Sequence, residues 1–446
     1  MALTQAQIDV LQKADRAAIK RCMSRLEKHW ANSRWLDQRN RYRVNCVGQI
    51  NHDSPDKHTW TPTHVHLRDY IAASAITHSF DGWSFLGRAV DAELGGDPDS
   101  ARHLGYYAEL RAAMALLAAD GIGVFNNKHV VVDTCGKCHV IRGTTTHKFT
   151  WEALQIWASS SAGVDTLLYS VQPGGVPLRE WVNHYPTSAN FIATSWLRQW
   201  GLDLSRLADD HNARNFASYR PTAFTSPGPT EVTNTVDAVA KFWQLCEPGA
   251  SGGFPVMDRH LLRRSVELAF KNSQDQTRRQ APQKYKNDVK VMLHGVAPRE
   301  LSLEQWEQFL THADGEADPR LFEDANGRSK PTDLNHSKEV LARAALLLRV
   351  ATGSVADMLS DVTITGGSEL EFWWSDRAVR RRLWPKDSPP STFADLWLDV
   401  SDAAEAITSW VADDGPQCHH GLWHDHGKDA AALATTERVA LWGLGL

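Results

Sequence analysis

Residues 100–117 have the sequence SARHLGYYAELRAAMALL, which is dominated by alanine and leucine. These two residues are among the strongest helix formers, so an unbroken run of this length is typical of one long helix. Asp97-Pro98, just before the run, has the pattern of an N-cap residue followed by a proline at the first helical position. Gly121 is expected to stop the helix. The stretch therefore predicts a helix between residues 98 and 120.

Polar side chains interrupt the apolar surface of this helix. At helical spacing, Tyr106 and Glu109 lie on one face, and Tyr107 and Arg111 lie on another. Large polar groups in a helix rich in alanine and leucine need hydrogen-bond partners when they are buried. We therefore expect these positions to form either a buried hydrogen-bonded pair or the wall of a site.

The rest of the chain also favours helix. Apolar residues at three- and four-residue spacing predict helical segments over 4–31, 66–120, 189–207, 230–246, 257–271, 337–359 and 392–411. Thr4 and Gln7 have the pattern of a capping box at the first of these helices. A β-branched run at 130–132, a turn at 134–138 and a return at 139–142 predict one small β-hairpin.

The best linker candidate is the Gly/Pro-rich stretch 247–255. It divides the chain into parts of ordinary domain size. We expect a mainly α protein with an N-terminal helix and irregular segment (1–65), a helical domain with the hairpin inserted (66–248) and a C-terminal helical domain (254–446).

Composition limits the classes of function. The 446 residues carry a formal net charge of −5, and 42% are hydrophobic, which is ordinary for a soluble globular protein. Nucleic-acid binding would therefore need a local basic surface. The N-terminus lacks the pattern of a secretory signal, and the most apolar run, 342–351, is too short to span a membrane. We expect a cytoplasmic protein with free thiols, no membrane partner and no cofactor.

A zinc site is an alternative to that expectation. Cys135, Cys138 and His139 lie on the predicted hairpin turn, and Cys418 with the stretch from His419 to His426 could supply further ligands. The competing interpretation is a turn with two ordinary thiols and a solvated histidine-rich loop. A CxxC pair without a second paired motif is a weak zinc signal, so we favour no metal.

The densest polar stretch is ADDHNARNFASYRP at residues 208–221. His211 and Arg214 lie one helical turn apart, and together they suit a phosphodiester, because imidazole moves protons and guanidinium stabilises the charged phosphorus centre. Arg-then-His pairs at this kind of spacing occur at Arg142–His147, Arg179–His184 and Arg206–His211. Roughly four such matches are expected by chance, so the spacing itself is no evidence.

Position in the chain distinguishes the three pairs. Only Arg206–His211 leads into the polar stretch, whereas Arg142–His147 falls at the exit of a predicted strand. The competing interpretation is helix capping, in which Asp210 and Asn212 satisfy terminal backbone groups. Two other stretches, 259–290 and 377–382, are basic. Each is compatible with a nucleic-acid surface or with solvated helix faces. The stretch 377–382 is also compatible with an interface for an acidic partner.

The segment Tyr106-Tyr107-Ala108-Glu109-Leu110-Arg111-Ala112-Ala113 resembles the second helix of HEPN domains, small helical bundles found in RNases, toxins and antiphage proteins. A shorter helix, Phe80–Leu94, precedes it through Gly95-Gly96-Asp97. Arg214-Asn215-x-x-x-Tyr219 stands where the family has its Arg-polar-His motif, just before the last helix. The layout is also similar to the YaaC-like branch, and the resemblance covers residues 80–247.

The resemblance implies a HEPN-like helical bundle and a metal-independent RNA-cleaving or RNA-binding effector of an antiphage defence or toxin type. It implies that Arg214 holds a phosphate, that Asn215 orients it and that His211 or Tyr219 moves protons. The further substrate-binding residues that it implies are Arg206, Asp210, Arg220, Tyr106, Tyr107 and Glu109. Paired motifs in the family imply a homodimer or a heteromeric defence complex.

The family has histidine where this chain has Tyr219, whose phenol has an ordinary pKa of about 10 and is a weak base near neutral pH. Three outcomes follow: His211 replaces the missing imidazole, Tyr219 has a shifted pKa, or the protein binds RNA or nucleotide without cutting it. The alternative class of function is a non-catalytic scaffold or sensor subunit of a defence complex, which would bind a protein partner through a tryptophan-rich helical surface.

Overall fold

A computed structural model describes residues 3–53, 63–185, 188–199, 210–215, 231–330, 333–360, 369–414 and 418–445. The helices in chain order are α1 (Gln5–Leu11), α2 (Arg16–Trp30), α3 (Cys46–His52), α4 (His64–Leu94), α5 (Pro98–Ala119), α6 (Thr146–Ala158), α7 (Ser161–Tyr169), α8 (Leu178–Trp181), α9 (Ala189–Gln199), α10 (Val232–Leu245), α11 (Pro255–Gln274), α12 (Pro282–Val296), α13 (Leu303–Leu310), α14 (Arg320–Ala325), α15 (His336–Ser360), α16 (Glu371–Arg380), α17 (Phe393–Asp414), α18 (His419–Leu433) and α19 (Glu437–Leu444). Short 3-10 turns lie at Pro173–Gly175 and Val182–His184, and residues 210–215 are helical. The mainly α class is confirmed.

The helix predicted over 4–31 is wrong, because the structure divides it into α1 and α2. Asp15 breaks it: its backbone is extended, and its side chain accepts a hydrogen bond from the N–H of Ala18 as an N-cap. The Asp15 N–H donates to Val132 O of the sheet instead of continuing the first helix. The capping box at Thr4 and Gln7 is confirmed.

The predicted hairpin is confirmed and belongs to a three-stranded antiparallel sheet. Strand β1 (Ile122–Gly123) pairs with β2 (Lys128–Val132), and β2 pairs with β3 (Cys138–Arg142). The register places Val130 opposite Val140. Strand β3 ends at Arg142, and α6 begins at Thr146 after a short loop.

Helices α4, α5 and α15 form the centre of the fold. α5 lies along α4 and α15, and α15 also contacts α4. Close approach is possible because small residues lie in the contacts: a Cβ added at Gly105 of α5 would lie 3.0 Å from Val340 of α15. α5 begins at the predicted N-cap, Asp97, whose side chain accepts a hydrogen bond from the Ser100 N–H.

The hydrophobic core is continuous across the predicted linker at 247–255. α10, before the linker, packs against α17 and α18, which follow it. The indole N–H of Trp243 donates to Leu433 O, and the Gly253 N–H donates to Trp442 O. In the described residues, no helix combines the length and the apolar character needed to cross a membrane.

Gly87 allows α4 to approach the backbone between α18 and α19. An added Cβ would overlap the carbonyl oxygen of Ala434. We expect Gly87→Ala to lower the free energy of unfolding by about 1–3 kcal/mol, because overpacking forces the backbone to shift. Gly295→Ala, in α12, is the matched control, since its added Cβ meets no atom within 4 Å. Urea denaturation measures both, and equal stability of the two variants would contradict the prediction.

Candidate functional site

Helix α5 supplies the tyrosines at the centre of the candidate site. Tyr106 is fully buried and Tyr107, next to it, is half-buried. Their rings meet edge to face with centroids 5.9 Å apart. The indole N–H of Trp151, on α6, donates to the Tyr106 hydroxyl at 3.4 Å. The two phenol oxygens therefore lie where α5 faces α6 and the segment 210–215.

The segment 210–215 carries its polar side chains onto these tyrosines. The Arg214 guanidinium donates to the Tyr107 hydroxyl at 3.0 Å, and its central carbon lies 5.7 Å and 5.8 Å from the Tyr106 and Tyr107 ring centroids. Arg214 also donates to the side-chain oxygen of Asn215. His211 places Nδ1 3.3 Å from the Tyr106 hydroxyl. The structure thus brings together five of the residues that the sequence analysis selected: Tyr106, Tyr107, His211, Arg214 and Asn215.

His147 completes this arrangement, and the sequence analysis missed it. It lies in the first turn of α6, with Nδ1 2.8 Å from the Tyr106 hydroxyl and its ring 5.1 Å from the ring of His211. In the sequence it follows Arg142 at the exit of a predicted strand, and that spacing does not link it to residues 210–215. We call Tyr106, Tyr107, His147, His211 and Arg214 the Tyr–His cluster.

The Tyr106 hydroxyl couples the tautomers of the two histidines. The hydroxyl has one proton, so it can donate to only one Nδ1 atom, and the other ring must donate its own Nδ1–H. The Tyr106 oxygen lies closer to Nδ1 of His147, at 2.8 Å, than to Nδ1 of His211, at 3.3 Å. When the hydroxyl donates to His147, His147 carries its own proton on Nε2 and His211 has a lone pair on Nε2. With both rings neutral, Nε2–H of His147 is a hydrogen-bond donor and Nε2 of His211 is an acceptor.

Burial keeps both rings neutral. It lowers the pKa of His147 to about 4, helped by the nearby His211 and Arg214. Burial also lowers the pKa of His211, with a second contribution from the positive charge of Arg214. It raises the pKa of the Tyr106 phenol. At neutral pH the cluster therefore holds two neutral imidazoles and a protonated phenol, with the Arg214 guanidinium as its cation.

We expect nitrogen-15 NMR to find His147 titrating near pH 4. Because its folded-state pKa is lower than its unfolded value of 6.5, the unfolded chain binds the extra proton first as pH falls. The contribution of His147 to stability is therefore complete above pH 6.5 and is lost as pH falls from 6.5 towards 4. His147→Gln should reduce this loss. A titration midpoint near 6.5 would contradict the prediction.

A buried ionic network anchors the segment 210–215. Arg343 of α15 donates to both carboxylate oxygens of Asp210, with a closest distance of 2.8 Å. Glu109 and Glu339 lie 3.6 Å and 3.8 Å from the same guanidinium. Burial and the neighbouring Asp210 raise the pKa of Glu109 far above its usual value. Asp210 is the carboxylate in closest contact with Arg343.

Asp210 and Glu109 were selected as substrate-binding residues, yet both side chains are turned into the core. They are 3% and 1% exposed. The nearby Nε2 of His336 lies 3.6 Å from Asp210, and burial lowers the pKa of this histidine to about 3. The carboxylates thus face one another and Arg343. Their contacts hold the segment 210–215 against α5 and α15. The selected residues Arg206, Tyr219 and Arg220 lie outside the described residues.

The residues of the possible zinc site have other partners. His139 contacts Asp133 at 2.7 Å, and the backbone N–H of Cys138 donates to His64. Burial raises the pKa of the Cys138 thiol to about 12. Among the residues with described positions, no group of three or more His, Cys, Asp or Glu side chains could hold a metal ion. All six cysteines are free.

Comparisons with protein-family models, with curated proteins and with solved structures find no match for this chain. Function is therefore inferred from the residues of the Tyr–His cluster and from their geometry.

Proposed function

We propose that the protein is a HEPN-like ribonuclease whose active site is the Tyr–His cluster. The observation that supports this most directly is the placement of Arg214 beside two imidazoles that share one phenol hydroxyl. Arg214 supplies a fixed cation and a planar set of donors for a phosphate. One imidazole has a lone pair to take a proton, and the other has an N–H to give one. These are the groups that cleavage of RNA by its own 2′-hydroxyl requires.

In the proposed reaction His211 is the base. Its Nε2 takes the proton of the 2′-hydroxyl, the 2′-oxygen forms a bond to phosphorus, and the bond from phosphorus to the 5′-oxygen breaks. The 5′-oxygen receives the Nε2 proton of His147. Arg214 stabilises the charge on the phosphorane oxygens. The products are a 2′,3′-cyclic phosphate and a free 5′-hydroxyl.

The Tyr106 hydroxyl transfers a proton from His211 to His147 in this reaction. The Nδ1 proton of His211 passes to the Tyr106 oxygen as the Tyr106 proton passes to Nδ1 of His147. Each side chain is neutral before and after, and the two tautomers have exchanged. This relay explains how rings with lowered pKa values can perform acid–base chemistry, because neither has to hold a charge. Hydrolysis of the cyclic phosphate runs the relay in reverse.

The test is degradation of single-stranded RNA by the purified protein in EDTA. We expect Tyr106→Phe to lower kcat by about 10²–10⁴, which is the usual contribution of general acid–base groups, with little change in KM. Asn212→Ala is the matched control, because Asn212 is exposed and lies between His211 and Arg214. A Tyr106→Phe variant that folds and keeps full activity would overturn the relay.

A defence or toxin role and a dimer follow from the HEPN resemblance and belong to the same proposal. Paired motifs across a twofold axis would place two Tyr–His clusters at one interface, and light scattering tests for the dimer that this arrangement requires. A stable monomer that neither binds nor degrades RNA would overturn the proposal and favour the scaffold or sensor class instead.

A further inference from the structure

A cavity with a mainly apolar wall lies between α4, α10, α14 and α15. It encloses about 640 Å³ when its open mouth is counted, which is within the usual range of small-molecule sites, about 300–1,000 Å³. Its mouth is marked by two lining side chains that are 54% and 41% exposed and already paired, Lys241 with Asp237 and Arg320 with Asp324. The apolar wall includes Leu86, Val90, Val239, Phe242, Leu321 and Leu341.

Two buried ionisable side chains also line this cavity. Glu93 of α4 is 2% exposed, and Lys338 of α15 is 7% exposed. Neither carboxylate oxygen of Glu93 has a hydrogen-bond partner among the described residues, and the nearby Ser337 hydroxyl also has none there. Buried polar groups are normally hydrogen-bonded, because an unsatisfied one destabilises the fold. A carboxylate of this kind in a cavity wall is suited to a donor that a ligand supplies.

Burial acts against the charges of both groups. It raises the pKa of Glu93 despite the smaller opposite effects of Ser337, Lys338, His419 and Arg102. It lowers the pKa of Lys338, against the negative charge of Glu93. The two side chains do not form a hydrogen bond with each other. A ligand that brings a cation to Glu93 and an anion to Lys338 would therefore stabilise the charged forms of both.

The other basic groups near Glu93 have partners within the protein. Arg102 donates to Asp99, and Nδ1 of His419 lies 2.9 Å from Leu94 O. The two buried groups of the wall thus remain as one acceptor and one donor of opposite charge. The complementary ligand is neutral overall and carries an ammonium and a carboxylate beside an apolar group, which the rest of the wall encloses. An α-amino acid with an apolar side chain has these features.

We propose that this cavity binds an apolar α-amino acid such as leucine. Glu93 accepts hydrogen bonds from the α-ammonium, and Lys338 donates to the α-carboxylate. The ligand side chain packs against the apolar wall. Among the described residues, none of the Tyr–His cluster lines the cavity, so this site is separate from the one proposed for RNA cleavage.

The first test compares leucine with three fragments of it, by isothermal titration calorimetry on the full-length wild-type protein. The fragment 4-methylpentanoate lacks the ammonium, 3-methylbutylamine lacks the carboxylate, and glycine lacks the apolar side chain. We expect saturable binding of one leucine per chain. Each fragment should bind weaker by about tenfold or more, because it leaves a buried polar group or the apolar wall without its partner. No saturable binding of leucine, or a fragment that binds as tightly as leucine, would overturn the proposal.

The second test assigns each end of the ligand to a residue. In Glu93→Met the preference for leucine over 4-methylpentanoate should disappear, and in Lys338→Met the preference for leucine over 3-methylbutylamine should disappear. Lys241→Met is the matched control, because Lys241 lies at the mouth of the same cavity and pairs with Asp237. It should bind all four ligands as wild type does. Unchanged preferences in both buried variants, or the same losses in Lys241→Met, would overturn the proposal. The fragment series on wild type tests it even if a variant does not fold.

Discussion

Replacing Arg214 with alanine is expected to reduce kcat for RNA cleavage by about 10²–10³, the usual cost of removing one donor to a charged transition state. The guanidinium is positioned by the Tyr107 hydroxyl at 3.0 Å and by the faces of both tyrosines. Lysine should restore little of the loss, because it keeps the charge but lacks the planar fork. Initial rates on a short single-stranded substrate measure the effect.

The pH profile separates loss of Arg214 from unfolding. The positive charge of Arg214 lowers the pKa of His211, in addition to the larger effect of burial. Removing the charge raises that pKa, so His211 becomes protonated at a higher pH and stops acting as a base there. The acid limb of kcat/KM should therefore move to higher pH in Arg214→Ala. Full RNase activity and RNA affinity in a folded Arg214→Ala protein would refute the proposed function.

Asp210→Ala is expected to destabilise the protein by about 3–5 kcal/mol, because it leaves a buried guanidinium without its bidentate partner. The side chains of Arg343 and Asp210 are 4% and 2% exposed, so water cannot replace the lost contact. Glu109 lies 3.6 Å from Arg343, but burial raises its pKa and so disfavours the charged form that would compensate. Denaturant unfolding measures the change. Asp237→Ala is the control, because it breaks an exposed pair with Lys241 and should cost below about 1 kcal/mol.

The double variant Asp210→Leu/Arg343→Met tests the cause of that loss. If the cost comes from an unpaired buried charge, removing both charges should recover much of the stability lost in Asp210→Ala. RNA cleavage should remain reduced in the double variant, because the segment 210–215 loses its anchor to α15. A double variant that is no more stable than Asp210→Ala would contradict the charge explanation.

Local signals in the sequence predicted much of the helical fold. The start of α5 followed from Asp97-Pro98, and the hairpin followed from its β-branched residues and its turn. Asp15 is also an N-cap residue, but the prediction of one helix over 4–31 did not use it. Apolar spacing continues through residues 12–15, whereas the N-cap at Asp15 and its bond to Val132 O interrupt the helix. The spacing of apolar residues indicates which face of a helix is buried, but the hydrogen bonds of the backbone determine where the helix ends.

By itself, the sequence was enough to select Tyr106, Tyr107, His211 and Arg214, because polar residues are conspicuous in an apolar helix or crowded into one short segment. His147 and Arg343 could be found only in the tertiary structure. His147 comes from the start of α6 and Arg343 from the middle of α15, and no spacing along the chain links either to residues 210–215. The Tyr106 hydroxyl at 2.8 Å from His147 and the Arg343 guanidinium at 2.8 Å from Asp210 bring these separate elements together. Hydrogen bonds and ion pairs depend on distance in space, which a periodic pattern does not encode.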